Sequence, residues 1–358
     1  MSAQSQSETL FPILQAAPTG LARMAAEAAH VADGHNIEFR ALEVRSILNK
    51  TTSRRIRLAY SINPYRGCEF ACRYCYARYT HEFLAPTPAA IVPASPDYKD
   101  PALFERLIFL KENAAWLLQQ ELRAHNPADS IAIGTATDPY QPIERTAKIT
   151  RSLLEVFARQ SGLRLGIVTK SKLIERDLDL LTRIAARNTL VLHLTITTPN
   201  PALARILEPR APRPDLRFAA VRRLREAGLT TGILCSPLLP GITDTAEALD
   251  QMAARAAQAR ASFFAASPLF LKSCSRPTFL SFVREHYPHL LAGYQTRFAA
   301  NDFATPPYRD HLAALVRTAC RRHGLASRPT DAFLTPNASP ARKPPTPVEA
   351  PSQRALFA

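Results

Sequence analysis

Short apolar runs alternate with helical stretches along most of the chain, and this alternation constrains the fold more than any other feature. The strand candidates are Leu58–Ile62, Ser130–Gly134, Leu163–Thr169, Leu190–Thr197, Thr231–Cys235 and Ser262–Ala266. Between them the pattern predicts helices over Cys72–Phe83, Ala102–His125, Thr150–Gln160, Leu173–Arg187, Asp215–Ala227 and Thr245–Ala259. Asp, Thr or Pro stands near several helix starts, as N-terminal capping and proline at the first turn require. Strands alternating with helices make βαβ units and a parallel sheet. The runs IAIG and LGIVT are continuous rather than alternating, as in strands covered on both faces. The expected fold class is α/β, a partial (β/α)6 barrel; a flat doubly wound sheet is the rival. No GxGxxG or GxxxxGK[ST] follows a strand, which weakens the nucleotide-binding forms of that rival. Barrel chemistry collects at the C-terminal strand ends. There the chain places GCEFACRYCY, TATDPYQPIER, TKS and TTPN.

The 358 residues, 46% hydrophobic and 21% charged, exclude a wholly disordered chain, a coiled coil and a small disulfide scaffold. No apolar run approaches the roughly 20 residues that span a bilayer. The N-terminus has neither a basic n-region nor a cleavage site, so no membrane and a cytoplasmic location are expected. The formal net charge is +15, with 37 Arg against 8 Lys. Codon usage rich in G and C explains such a bias; so does a polyanionic partner such as nucleic acid. Residues 1–40 read as a poorly ordered N-terminal arm with one short helix, 41–270 as the core, and 271–325 as a helical extension. Residues 326–358 contain seven prolines and read as a disordered tail.

Three of the six cysteines, Cys68, Cys72 and Cys75, form C-x3-C-x2-C; Cys235, Cys274 and Cys320 are scattered. That is no disulfide framework. Thiolates bind soft metals, and three from one loop can hold three corners of a [4Fe–4S] cluster, leaving one iron open. Structural zinc is the other reading. It wants four ligands, and His81 is the nearest candidate for the fourth.

With Tyr74 before the last cysteine, the cluster motif resembles the radical S-adenosylmethionine (SAM) superfamily. SINPYRGC (61–68), CYAR (75–78), TDPYQPIER (137–145), TKS (169–171), RDLDLL (176–181) and LEPRAP (207–212) are similar to its spore photoproduct lyase-like branch, over roughly residues 40–265. The resemblance implies a partial α/β barrel. It also implies an enzyme whose open iron binds the amino and carboxylate groups of SAM and yields a 5′-deoxyadenosyl radical. It makes Cys68, Cys72 and Cys75 the cluster ligands. Tyr74 and Tyr76 flank the third cysteine, where the resemblance puts the backbone near the adenine; each also reads as packing beside the cluster. Thr137 matches a SAM-contacting hydroxyl, with Asp138 orienting it or starting a turn. Lys170 matches a lysine on the SAM carboxylate, and Thr195 a hydroxyl on the cofactor. Glu208 would bind ribose or a backbone amide, or pair with Arg210 as a clasp.

Two departures limit the transfer. Where true spore photoproduct lyases carry a hydrogen-donating cysteine, this chain has Thr135, whose O–H bond is too strong for that role. The segment after residue 265 also lacks the pattern expected there. No catalytic residue is therefore assigned, and repair of spore photoproduct is not expected. Gln353, Leu356 and Phe357 form Q-x-x-L-F in the tail, similar to the peptide by which bacterial DNA-processing proteins dock on the sliding clamp. With the net charge this points to nucleic acid as substrate, and an external electron donor is required. The alternative is a non-enzymatic, basic nucleic-acid-binding module holding zinc or an iron–sulfur cluster.

Overall fold

The computed structural model describes residues 18–34, 36–51, 58–85 and 96–326. Among them the strands are β1 (His30–Gly34), β2 (Ile37–Ala41), β3 (Asn49–Lys50), β4 (Tyr60–Ile62), β5 (Tyr65–Arg66), β6 (Leu107–Leu110), β7 (Ser130–Ile133), β8 (Arg164–Thr169), β9 (Thr189–Thr195), β10 (Thr230–Leu238) and β11 (Phe264–Pro268). The larger sheet has the order β11-β10-β9-β8-β7-β4-β3. From β4 to β11 its six strands run parallel in chain order, and β3 closes one edge antiparallel. The edge strands β11 and β3 lie at opposite ends of that order, so the barrel is partial. These six strands are the six expected, and no doubly wound order reversal occurs.

The connecting helices include Ile149–Phe157, Leu178–Ala185, Pro214–Glu226 and Ala246–Gln258. Their apolar sides and the sheet bury one continuous core that takes in Ile131, Leu153, Leu181, Leu192, Val221 and Phe264. The stretch 271–325 is helical, with Arg276–His286, Leu291–Arg297 and Pro306–Arg322. No described helix is long and apolar enough to cross a membrane.

Two expectations need correction. Residues 30–40, assigned to a poorly ordered arm, belong to the β1–β2 hairpin, which follows a short helix, Gly20–Ala26. The helix expected over Ala102–His125 is broken: β6 occupies its middle, and helix Ala114–Glu121 follows. All four residues of β6, Leu-Ile-Phe-Leu, are buried, and a short apolar run covered on both faces has the same sequence signature as a buried helix turn. These segments build a second sheet, ordered β1-β2-β6-β5. The predicted disorder of residues 1–17 and 327–358, and the clamp peptide with Gln353, Leu356 and Phe357, lie outside the described residues.

Gly134 ends β7 at φ +89°, and a Cβ there would stand 2.5 Å from the Val168 carbonyl oxygen and 2.6 Å from Pro139 Cδ. Both neighbours are rigid. Gly134→Ala should therefore cost about 3 kcal/mol or more, strain and overpacking together. Denaturant unfolding would measure this; an unchanged midpoint would show that the turn after β7 moves freely.

Candidate active site

The second sheet positions the cysteines. Its strand β5 pairs with β6 through Tyr65 and Arg66 and runs straight into Gly67 and Cys68. Gly67 has φ +88°, and a Cβ would meet the Leu107 carbonyl oxygen at 2.8 Å, so only glycine brings the chain this close. The Cys68 amide then donates to the Phe104 carbonyl (3.0 Å), and a turn at Cys72 closes with the Cys75 amide donating to Cys72 (3.2 Å). All three thiols are free; Cys68 and Cys72 are buried and Cys75 is half-buried.

This loop has little secondary structure, and side chains from elsewhere fix it. Gln141, fully buried, accepts from the Glu69 amide (2.8 Å) and donates toward the Gly67 carbonyl (3.4 Å). The Glu69 carboxylate accepts from the Ile143 amide (2.7 Å). Arg78 donates to the carbonyls of Cys72 (3.1 Å) and Pro101 (2.5 Å) and to Glu105 (2.7 Å). Ser275 donates to the Cys75 carbonyl (2.7 Å). Glu69, Arg78 and Gln141 lie in motifs that the sequence singled out, but it gave them no role, and Ser275 carried no signal.

Burial pushes the Cys72 thiol up to about 12, and burial together with nearby Asp138 raises Cys68 as well. Thiols so placed become thiolates only when a positively charged soft group compensates them. The donor set therefore fits an iron–sulfur cluster. Among the described residues, no set of three His, Cys, Asp or Glu side chains converges to hold a single metal ion. His81 is fully buried with Nε2 on the Leu107 carbonyl (2.9 Å), and burial lowers its imidazole to about 4.

Next to the loop lies a buried clasp. The Tyr74 hydroxyl donates to Glu208 and lies 2.9 Å from the Thr197 hydroxyl, which itself donates to Glu208 (2.9 Å). Arg217 approaches the other Glu208 oxygen at 2.5 Å. It also donates to the carbonyls of Thr195 (3.1 Å) and Pro212 (2.7 Å). The partner of Glu208 is thus Arg217. Arg210, the expected partner, instead donates toward the Glu105 carbonyl (3.4 Å). Burial would raise the Glu208 carboxyl, but Arg217 and Lys170 outweigh it and hold the group below its usual 4.5.

Lys170 follows β8 with its ammonium 5.8 Å from the Tyr74 ring centre. It has no hydrogen bond or ion pair among the described residues. Burial would discharge it, but Cys72, Glu208 and Asp138 more than compensate and keep it charged. It is a free cation beside the cysteines, suited to a ligand carboxylate.

The other expected residues serve the scaffold in this structure. Thr137 donates to the Gly67 carbonyl (2.6 Å). Asp138 accepts from the Thr169 hydroxyl (2.6 Å), the Lys170 amide (2.7 Å) and the Tyr140 amide (2.9 Å), tying the end of β8 to the turn after β7. Thr195 ends β9, buried, its carbonyl under Arg217. Tyr76 is 37% exposed and donates to the Thr135 carbonyl. Thr135 accepts from Asn63 (3.3 Å). Fully buried Glu144 accepts from Tyr65, from the Thr150 amide (2.8 Å) and from Arg176 (2.6 Å), so NPYRGC, QPIER and RDLDLL meet at one carboxylate. Of the remaining cysteines, Cys235 is buried and points at the Thr197 carbonyl (3.6 Å), while Cys274 is half-buried beside Ser275. Cys320 is buried in helix Pro306–Arg322.

Residues 62–253 match the family model described as the radical SAM superfamily. An uncharacterized protein of Mycobacterium tuberculosis is 32% identical over 308 residues, 84% of this chain and 87% of that protein. One of Methanocaldococcus jannaschii is 29% identical over 185 residues, 52% of this chain and 62% of its own length. Among solved structures, a spore photoproduct lyase double mutant with bound AdoMet and dinucleoside spore photoproduct has a similar fold. Its TM-score is 0.59 at 16% identity, with 82% of this chain and 81% of that chain covered. Spore photoproduct lyase complexed with dinucleoside spore photoproduct gives 0.59 at 15%, with the same coverage.

Breaking the Glu208–Arg217 clasp leaves a buried charge alone. Glu208→Gln and Arg217→Met should each lose about 3–5 kcal/mol, and the double variant much less than the sum. The carboxyl sits below 4.5 when folded, so the unfolded chain takes up its proton first as pH falls. Its stabilisation is complete above about 4.5 and disappears below. Denaturant titrations of parent and Glu208→Gln should converge in acid; a constant gap, or additive losses in the double variant, would contradict the clasp.

Proposed function

Because the chain belongs to the radical SAM superfamily, we propose that it is a SAM-cleaving enzyme acting on nucleic acid, with Cys68, Cys72 and Cys75 holding a [4Fe–4S] cluster. Such a cluster with SAM bound supplies an electron that breaks the S–C5′ bond and leaves a 5′-deoxyadenosyl radical able to abstract hydrogen.

One observation carries the reading: the unpaired Lys170 ammonium over Tyr74, beside Cys72. A cation kept charged by its acidic neighbours in spite of burial binds a carboxylate strongly, and the SAM carboxylate is the ligand group that fits it. The clasp of Glu208 and Arg217 keeps Tyr74 still beneath it. Thr137 and Gln141 hold the Gly67 carbonyl, so the first cysteine is fixed relative to the end of β7. Thr195 at the end of β9, Glu208 at the end of helix Pro201–Leu207 and Tyr76 just after the third cysteine would line the region where the cofactor lies. The chain's own work is to position the thiols, orient the amino acid part of SAM and exclude water.

Nucleic acid as substrate draws support from the net charge of +15 and from the dinucleoside carried by the spore photoproduct lyase of similar fold. Thr135 argues for a reaction other than return of hydrogen from a thiol at that place. The Q-x-x-L-F peptide of Gln353, Leu356 and Phe357 would tether the enzyme to a sliding clamp at a modest ordering cost. The electron comes from an external donor, and the site of action is the cytoplasm.

The test is anaerobic reconstitution, an iron and sulfide assay, then dithionite and SAM with detection of 5′-deoxyadenosine by mass spectrometry. About four irons and SAM-dependent product are expected, both lost in Cys68→Ala. Lys170→Met should keep the iron but weaken SAM binding about tenfold or more, as loss of a charge-assisted contact does. Bound zinc, or a cluster that never cleaves SAM, would replace the enzyme reading with the binding module.

A further inference from the structure

Five aromatic rings from two distant segments touch in series beside the cysteine loop. Phe83 meets Tyr79 edge-on at 5.8 Å, Tyr79 lies 6.5 Å from Tyr76 at 20°, Tyr76 meets Phe270 at 5.6 Å, and Phe270 stacks on Phe303 at 4.4 Å. Phe83 is 61% exposed, Phe303 41% and Tyr76 37%. So much contiguous aromatic surface on one row marks an interaction site.

Cations flank the row. The Lys272 ammonium lies 4.5 Å from the Tyr79 ring centre. Arg66 donates to the Thr80 carbonyl, next in the chain to Tyr79. In the small sheet Arg66 pairs with Phe109, and Lys111 follows directly after β6, its amide donating to Pro64 (3.2 Å). Lys111 is only 7% exposed, and its ammonium has no hydrogen bond or ion pair among the described residues. Burial first, and the nearby Arg66 cation second, lower its ammonium to about 7. Of the carboxylates in these stretches, Glu82 and Glu112 are both exposed, and Glu82 bears on Cys274. A buried ammonium with no partner, beside a second cation, is costly to charge unless an anion joins them.

We propose that this row seats an unpaired stretch of nucleic acid, its bases stacked on Tyr79 and Phe83 and a backbone phosphate held between Arg66 and Lys111. The inference rests on the nucleic-acid reading above and specifies the strand state that the enzyme recognises. Rings give sequence-tolerant stacking and the cations track the backbone, the two elements that single-strand binding requires. A duplex offers neither: its base faces are covered, so a double-stranded substrate would have to expose a nucleotide to use this surface.

The test is fluorescence anisotropy on the full, anaerobically reconstituted chain, with a labelled single-stranded oligonucleotide of about 12 nucleotides, the same sequence as a duplex, and an acidic peptide of equal charge. The single strand should bind more tightly than the duplex. Tyr79→Ala and Phe83→Ala should each weaken it about tenfold, and Lys111→Met should weaken it and flatten the salt dependence by about one phosphate contact. Arg222→Ala, on the surface of helix Pro214–Glu226, should change it less than twofold. Lys111→Met should melt no lower than the parent, because it removes a buried, unpaired charge; a lower melting point would mean that Lys111 is structural. If the parent binds neither strand form, the nucleic-acid reading falls and the seat with it. If it binds but the variants match the parent, the reading stands and the seat falls. An acidic peptide bound as tightly, with the same sensitivity to the variants, would make this a protein-docking surface instead.

Discussion

Three thiols on one loop are useful only if the loop cannot move, and this loop has almost no backbone ladder of its own. Its rigidity is borrowed. The small sheet fixes its entry at Gly67, Gln141 and Glu69 tie its start to the turn after β7, and Arg78 and Ser275 hold its far end. The bonds reach several separate elements, so displacing one of them strains the whole loop. This is why the second sheet, which also gives Phe39, Tyr65, Ile108 and Leu110 to the main core, matters as much as the barrel to the site.

The buried charges follow the same logic. Glu144 and Glu208 are both nearly inaccessible, and each sits where separate segments of the chain meet. A carboxylate can accept from several donors at once, so a single one locks three segments into register. The cost of burying it is offset only when every donor is present, which makes these points intolerant of change. Lys170, half-buried, and Lys111, buried, are the exceptions: neither ammonium has a hydrogen bond or ion pair among the described residues. Such exceptions are where a fold makes room for a ligand.

Much of this architecture was legible in the sequence. The six parallel strands appeared because each is a continuous apolar run bounded by turn residues, and a strand covered on both faces leaves that mark. The cysteines appeared through their spacing. The small sheet did not, because β3 and β5 are two residues long and Leu-Ile-Phe-Leu in β6 fits a helix as well as a strand. Arg217 was invisible for another reason. It is one of 37 arginines, it lies on a helix, and only the return of that helix against β9 brings it to Glu208. The aromatic row is assembled the same way, from residues 76–83 and 270–303, which no local pattern connects.

The residues at the strand ends therefore divide by what they touch. Thr137, Asp138 and Glu208 are engaged by the protein itself, so their first effect is on geometry; a ligand can share their remaining lone pairs but does not find them free. The Lys170 ammonium has no hydrogen bond or ion pair among the described residues, and Tyr76 is 37% exposed. Lys170 stands over Tyr74 near Glu208, whereas Tyr76 leads through Phe270 and Tyr79 to the basic surface.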